Sequence, residues 1–253
     1  MRKLLLIAPI AIALLITGCD KGTPSGAPSV TYEVKGTGDT LLLTWTELSG
    51  VDGYYVYADG EKNDMNKVTS AYVLSPARVI EVCAYTNDKE GTKWSKDFSP
   101  VITTITVYAN SDSVAHKSAF GFNASGDAIT YFLGTTADHS KFDFYTEDLA
   151  APANSLTSPS QSGYNTRWSG SYEESVTDFD ACDQAAAPGN YVSPKQLISG
   201  AVYSFWLDRN NNAIWDDDSD HFGKAKVLAI SGKEVQLKVA YQEEAGLRWV
   251  KTP

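Results

Sequence analysis

The sequence predicts an all-β protein. Short runs rich in Val, Ile, Thr and Tyr recur along the chain, as in Val79-Ile80-Glu81-Val82-Cys83-Ala84-Tyr85 and Val101-Ile102-Thr103-Thr104-Ile105. Several runs alternate apolar and polar residues, most cleanly at Val235, Leu237, Val239 and Tyr241. No run sustains a 3.6-residue period, so helices are expected to be few and short.

The N-terminus speaks to location. Arg2 and Lys3 precede an apolar run, Leu4 to Ile16, broken only by Pro9. That run is too short for a membrane span of about 20 residues and fits a signal-peptide core of roughly 7–15. Its end, Leu15-Ile16-Thr17-Gly18-Cys19, resembles the lipobox of bacterial lipoproteins. The resemblance implies cleavage before Cys19, acylation of that cysteine and a lipid anchor on the exported side of the cell envelope. More than one acyl chain is enough for stable anchoring. The alternative is an uncleaved anchor helix. Asp20 resembles the inner-membrane retention signal of enteric lipoproteins.

The chain carries a net charge of −10, and loss of residues 1–18 with Arg2 and Lys3 makes it −12. An acidic exported protein argues against nucleic acid as a partner and is compatible with cations. After Cys19 only Cys83 and Cys182 remain, in different expected domains. Two separate buried thiols are expected, with a cross-domain bridge as the alternative. There is no CxxC and no Cys/His cluster to hold zinc.

Residues 19–29 are rich in Gly, Pro and Ser and read as a flexible tether. From Val30 strands begin: Thr31 to Val34, then Leu41, Leu43 and Trp45 on one face, with Gly36-Thr37-Gly38-Asp39 as the turn between. Six or seven short strands at this spacing predict a β-sandwich over 30–107. Leu43-Thr44-Trp45 followed by Gly53-Tyr54-Tyr55-Val56-Tyr57 resembles strands B and C of a fibronectin type III domain. Val82-Cys83-Ala84-Tyr85 with Trp94-Ser95 resembles its strands F and G. The resemblance implies that Trp45 is a buried core residue. Arg78 stands where that family usually has a tyrosine.

Residues 108–253 are also β-rich, with strands expected at Ala128–Leu133, Phe142–Tyr145, Val202–Leu207 and Lys224–Ile230. A second β-sandwich or jelly-roll-like domain is expected. Glu147 to Gly200 reads as a long polar loop, with a short helix at 193–198 capped by Ser193 and started by Pro194.

One passage stands out. DRNNNAIWDDDSD, Asp208 to Asp220, carries five aspartates and one arginine, a net −4. Asp208, Asn210 and Asn212 alternate, Ile214 can offer its carbonyl, and Asp216 follows. Calcium takes six to eight oxygens from such groups. The stretch resembles the Asp-x-Asn-x-Asn loops of EF-hand-like and dockerin-like calcium sites. Two departures stand out: Ala213 replaces the glycine of the sixth position, and Ser219 replaces the acidic twelfth, so Asp218 or Asp220 would substitute. The alternative is a solvated acidic turn.

Catalytic signals are few. His116, His139 and His221 fall in no metal-ligand spacing and read as surface histidines near carboxylates. No nucleophile elbow or phosphate loop occurs. Asp178, Asp180 and Asp183 leave a hydrolase-type carboxylate pair as a remote alternative. Tyr164, Trp168 and Tyr172 lie in the polar segment and could stack on sugar rings, the alternative being that Trp168 folds onto a core. Together these readings predict a membrane-anchored, non-enzymatic lipoprotein with a binding, adhesion or scaffold role, toward a protein or glycan ligand. The alternatives are a carbohydrate-binding accessory protein and a glycoside hydrolase-type enzyme.

Overall fold

A computed structural model describes residues 22–149 and 153–253; Cys19, the expected lipidation site, lies outside them. The protein is all-β, as expected, with two sandwiches joined along a shared seam. The described helical turns are all short 3-10 segments.

The first sandwich holds β1 (Val30–Lys35), β2 (Thr40–Trp45), β3 (Gly53–Ala58), β4 (Glu61–Asp64), β5 (Ser70–Val73), β6 (Val79–Thr86), β7 (Lys89–Glu90) and β8 (Trp94–Asp97). One sheet has the order β1-β2-β5; in the other, β3 lies between β4 and β6, and β6 pairs with β7 and β8. The strands read as B and C, β2 and β3, thus fall in opposite sheets. Period-two alternation places Leu41, Leu43 and Trp45 inward, against Tyr54 and Val56 of β3 and Ile80, Val82 and Ala84 of β6. The other faces of β3 and β6 carry Tyr55, Tyr57, Cys83 and Tyr85, with the Lys62 ammonium 3.5 Å from the Tyr55 ring centre. Such rings survive at a surface because a lysine covers them through cation–π contact.

The second sandwich is built from β9 (Val101–Tyr108), β10 (Ala119–Phe122), β11 (Ala128–Tyr131), β12 (Phe144–Leu149), β13 (Ala153–Thr157), β14 (Trp168–Glu173), β15 (Lys195–Gln196), β16 (Val202–Asp208), β17 (His221–Ser231) and β18 (Glu234–Tyr241). Its sheets run β11-β10-β12-β13-β15 and β14-β16-β17-β18-β9. Phe120, Phe122, Phe144 and Leu156 of one meet Phe205, Leu207, Leu237 and Val239 of the other. Phe122 stacks on Tyr241 with centroids 4.5 Å apart.

Three expectations need correction here. Val101–Tyr108 pairs along its length with Glu234–Tyr241 and so belongs to the second sandwich, not to a first domain ending at 107. The helix expected at 193–198 is instead a cis Ser193–Pro194 bond and strand β15, because Lys195 and Gln196 pair with Leu156 and Ser155. The segment read as a long loop contains β14, hydrogen-bonded along β16 from Trp168↔Asp208 to Glu173↔Tyr203.

β16 is buried on both faces. Its inner face points into the sandwich, and Val202 and Trp206 on the outer face are covered by Cys182, Ala185, Tyr191 and Val250. Lys224, also wholly buried, donates to the carbonyls of Phe179 and Cys182 and to Thr252 Oγ1, so one ammonium fastens the covering segment and the C-terminus to β17. Burial pushes this ammonium down to about 8, against the nearby charges that favour its protonated form. Cys83 and Cys182 are free, buried thiols in separate clusters.

The seam between sandwiches is made by the last residues. Leu247 and Trp249 are fully buried in the first sandwich's core, although they follow the last strand of the second. Trp249 Nε1 donates to the Asp39 carbonyl, and the Arg248 amide donates to the Gly38 carbonyl at 2.8 Å. Arg248 spans both halves, its guanidinium donating to Thr37 O and Ala185 O. Gly38 is required by this approach: a Cβ there would lie 2.1 Å from the Gly246 carbonyl oxygen, and its φ is +90°.

Candidate functional site: an acidic loop beside an aromatic pocket

Loop Asp208–Asp220 joins β16 to β17, so its ends are fixed by adjacent antiparallel strands. The alternating side chains fold back on the loop's own backbone. Asp208 accepts from Asn212 N at 3.1 Å and from Ala213 N at 2.7 Å. Asn210 Oδ1 accepts from Asn212 N, and Asn212 Oδ1 from Ile214 N at 2.8 Å. Asp216 accepts from the amides of Asp218 and Ser219, from the Ser219 hydroxyl and from Asn210 Nδ2. Ala213 takes the left-handed conformation, φ +60°, which costs an alanine more than a glycine.

Burial differs sharply along the loop. Asp208 and Asp220 are buried, Asn210, Asn212 and Asp218 are exposed, and the Ile214 side chain points to solvent. Burial works against the Asp216 charge, but the amides of Ser219 and Asp218 outweigh it and hold the carboxyl below its ordinary range. Asp220 moves the other way: burial pushes it up to about 6 against the hydrogen bond from the Asp216 amide, with the charges of Asp208 and Asp216 adding to the rise. One Asp220 oxygen accepts from Asp216 N; the other, Oδ1, has no hydrogen-bond partner. A buried carboxylate oxygen left in this way costs free energy until something supplies positive charge.

The loop is also wedged between the sandwiches. Trp215 Nε1 donates to the Gly246 carbonyl at 2.9 Å, and its ring packs against both the first core and the cover of β16. Arg209 reaches the opposite sheet, pairing at 3.2 Å with buried Asp143, whose other oxygen takes Arg167 at 3.1 Å.

Asp208, Asn210, Asn212, Asp216 and Asp220 are therefore gathered in one loop, with Ser219 as a capping hydroxyl. Among the described residues, no three His, Cys, Asp or Glu side chains are grouped closely enough to hold a metal by themselves. A cation here would draw on the amide and carbonyl oxygens of Asn210, Asn212 and Ile214 as well as the carboxylates, an all-oxygen set suited to a hard ion. Asp218 is exposed, gives its amide to Asp216, and is the weakest member of the expected set.

The three aromatics proposed for stacking are not gathered. Tyr164 packs edge-on against Phe142, Tyr145 and His139. Tyr172 is exposed on β14, about 13 Å along the strand from Trp168 at the usual rise per residue. Trp168 instead lies over Gly170, where a Cβ would sit 2.4 Å from its ring, and meets Trp206 edge-to-face at 5.4 Å. Trp168, Tyr191 and Trp206, with Gly189, Asn211 and Ala213, line a cavity of about 240 Å³. One wall of that cavity is thus the acidic loop itself. Tyr191 carries no signal in the sequence; Trp206 reads there as core or loop packing, and it is buried, but it is two residues before Asp208 and so shares its face of β16.

His139 and His221 are more enclosed than expected, whereas His116 is exposed and lies 3.6 Å from the Asp112 carboxylate, as a surface histidine beside an acid should. His221 stacks on Tyr241 and bonds to the Gln242 carbonyl, and burial, with the Arg209 charge, pushes it down to about 4. His139 bonds to the Leu133 carbonyl at 2.8 Å, and His116 stacks on Tyr108.

No family model matches the chain, and no curated protein matches it. Among solved structures it is similar to a DUF4466 family protein from Parabacteroides merdae, at 11% identity and a TM-score of 0.40, over 87% of this chain and 99% of that one. A likeness at that score carries no argument about site or function. No helix among the described residues is long and apolar enough to cross a membrane.

Proposed function

We propose that this chain is an exported, lipid-anchored, non-enzymatic binding protein whose second sandwich carries a calcium-ordered loop at Asp208–Asp220. The observation that carries the calcium reading is the wholly buried Asp220, whose unpartnered Oδ1 sits in a loop already crowded by Asp208 and Asp216. Asp208, Asn210, Asn212, the Ile214 carbonyl, Asp216 and Asp220 would hold the ion. Its chemistry there is structural: it offsets the repulsion of a net −4 and fixes the wedge between the sandwiches. The lipobox-like ending at Cys19 supports the anchor. The two-sheet arrangement of the first sandwich supports a fibronectin type III-like spacer.

Thermal melting of the chain from Asp20 tests the loop. At a hundredfold excess over Kd, calcium binding to the folded state adds about 2.7 kcal/mol. For a chain of this size that is a rise of roughly 5–10 °C over chelator. Asp208→Ala abolishes the difference. Identical melts of the wild type in calcium and chelator refute the calcium reading. Loss of labelled-palmitate incorporation in Cys19→Ala tests the anchor separately.

A further inference from the structure

We infer that the cavity between Trp168, Tyr191 and Trp206 binds a methylated ammonium group. This rests on the reading of the chain as a binding protein and is independent of whether the loop holds calcium. Three features point to it. The walls are aromatic and set at steep angles: Trp168 stands at 68° and Tyr191 at 54° to Trp206, so the rings form a box rather than a flat platform. The faces of such rings attract a cation through the negative lobes of the ring quadrupole.

Negative charge stands directly behind two walls. Asp208, buried, accepts the Ala213 amide at 2.7 Å, and Ala213 lines the cavity. Asp220, also buried, lies beside the Trp206 indole. The loop as a whole is net −4 and stays negative with one divalent ion bound, so anions are repelled in either state.

The polar groups available are too few for the main competitor. A sugar ring brings several hydroxyls that each lose water; of the described lining residues the Tyr191 hydroxyl is already given to the Ala186 carbonyl and the indoles can only donate, which leaves Asn211 as the side chain able both to donate and to accept. A fully methylated ammonium makes no hydrogen bonds and asks for none. The cavity, about 240 Å³, lies below the roughly 300 Å³ at which drug-sized pockets begin, which fits a single small head group.

Isothermal titration calorimetry on the full-length protein, in an uncharged polyoxyethylene detergent, tests the inference with choline as probe. The neutral isostere 3,3-dimethylbutan-1-ol and methyl α-glucoside serve as comparisons, and each titration is run in calcium and in chelator. The expected result is saturable choline binding in the millimolar range or tighter in both buffers. The neutral isostere and Trp168→Ala are each expected to weaken it about tenfold or more. Trp168 is only half-buried, so the variant should keep its fold, checked by circular dichroism. If that variant does not fold, the wild-type comparison of choline with its isostere decides alone. No saturable choline binding, equal binding of the isostere, preference for the glucoside, or unchanged affinity in folded Trp168→Ala overturns the inference. Failure of the calcium melt leaves it standing.

Discussion

Trp249→Ala should unravel the first sandwich from its far end. The indole is fully buried among Leu41, Leu43, Trp45, Ile80 and Phe98, and meets Phe98 edge-on at 6.2 Å. Truncating a buried tryptophan costs about 3–5 kcal/mol through lost transfer energy and the cavity left behind. The Asp39 carbonyl also loses its donor, 3.1 Å away in the wild type, which adds about 1 kcal/mol. The sum, about 4–6 kcal/mol, is a large share of the 5–15 kcal/mol available to a typical protein. With a urea m-value near the upper end of the usual range, about 3 kcal/mol/M, the midpoint falls by roughly 1.3–2 M. Circular dichroism measures the shift. Alkylation of Cys83 localises it: that thiol is buried in the first sandwich, whereas Cys182 is buried in the second. In a Cys182→Ser background, Trp249→Ala should expose Cys83 to maleimide at lower urea than the parent. A midpoint within about 1 M of the parent, or unchanged Cys83 protection, refutes the assignment of Trp249 to the first core.

Two further outcomes follow from the second sandwich. The Lys224 ammonium falls to about 8 when folded, against an ordinary 10.5, so between those values the unfolded chain binds more protons and stability rises with pH, by at most about 3 kcal/mol. Urea titrations across pH 8 to 10 should show that rise in the wild type and not in Lys224→Met; parallel profiles refute it. Ala213→Gly removes a left-handed alanine costing about 1–2 kcal/mol, offset by about 0.4–1 kcal/mol of added unfolded-state entropy. Its melting temperature should increase by a few degrees, and a decrease refutes the strain.

The sequence disclosed the first sandwich well because Leu41, Leu43 and Trp45 alternate with outward residues, the pattern left by a sheet with one wet face. It disclosed β14 poorly. That strand reads Trp-Ser-Gly-Ser-Tyr-Glu, whose small residues look like a loop but are needed where Trp168 and Tyr191 press on Gly170. The sequence alone does not show that β9 belongs with the second sandwich, because its partner, β18, is more than a hundred residues away and leaves no local mark. Ser193-Pro194 carried the chemistry of a helix start, and pairing with β13 overrode it. In the loop, the spacing of Asp208, Asn210, Asn212 and Asp216 was visible from the sequence. Which carboxylates are buried was not, since Asp218 and Asp220 look alike until the Gly246 amide bonds the Asp220 carbonyl and that end of the loop is buried.

The placement of Leu247 and Trp249 also orders events during synthesis. Trp249 lies 210 residues after Asp39, whose carbonyl its indole reaches, yet it completes the core of the part made first. The first sandwich therefore cannot close its interior until those residues exist, however early its own strands appear. It waits for them and for a second sandwich able to deliver them. A product cut short before Leu247 would carry an unfinished core, leaving apolar surface open to proteases.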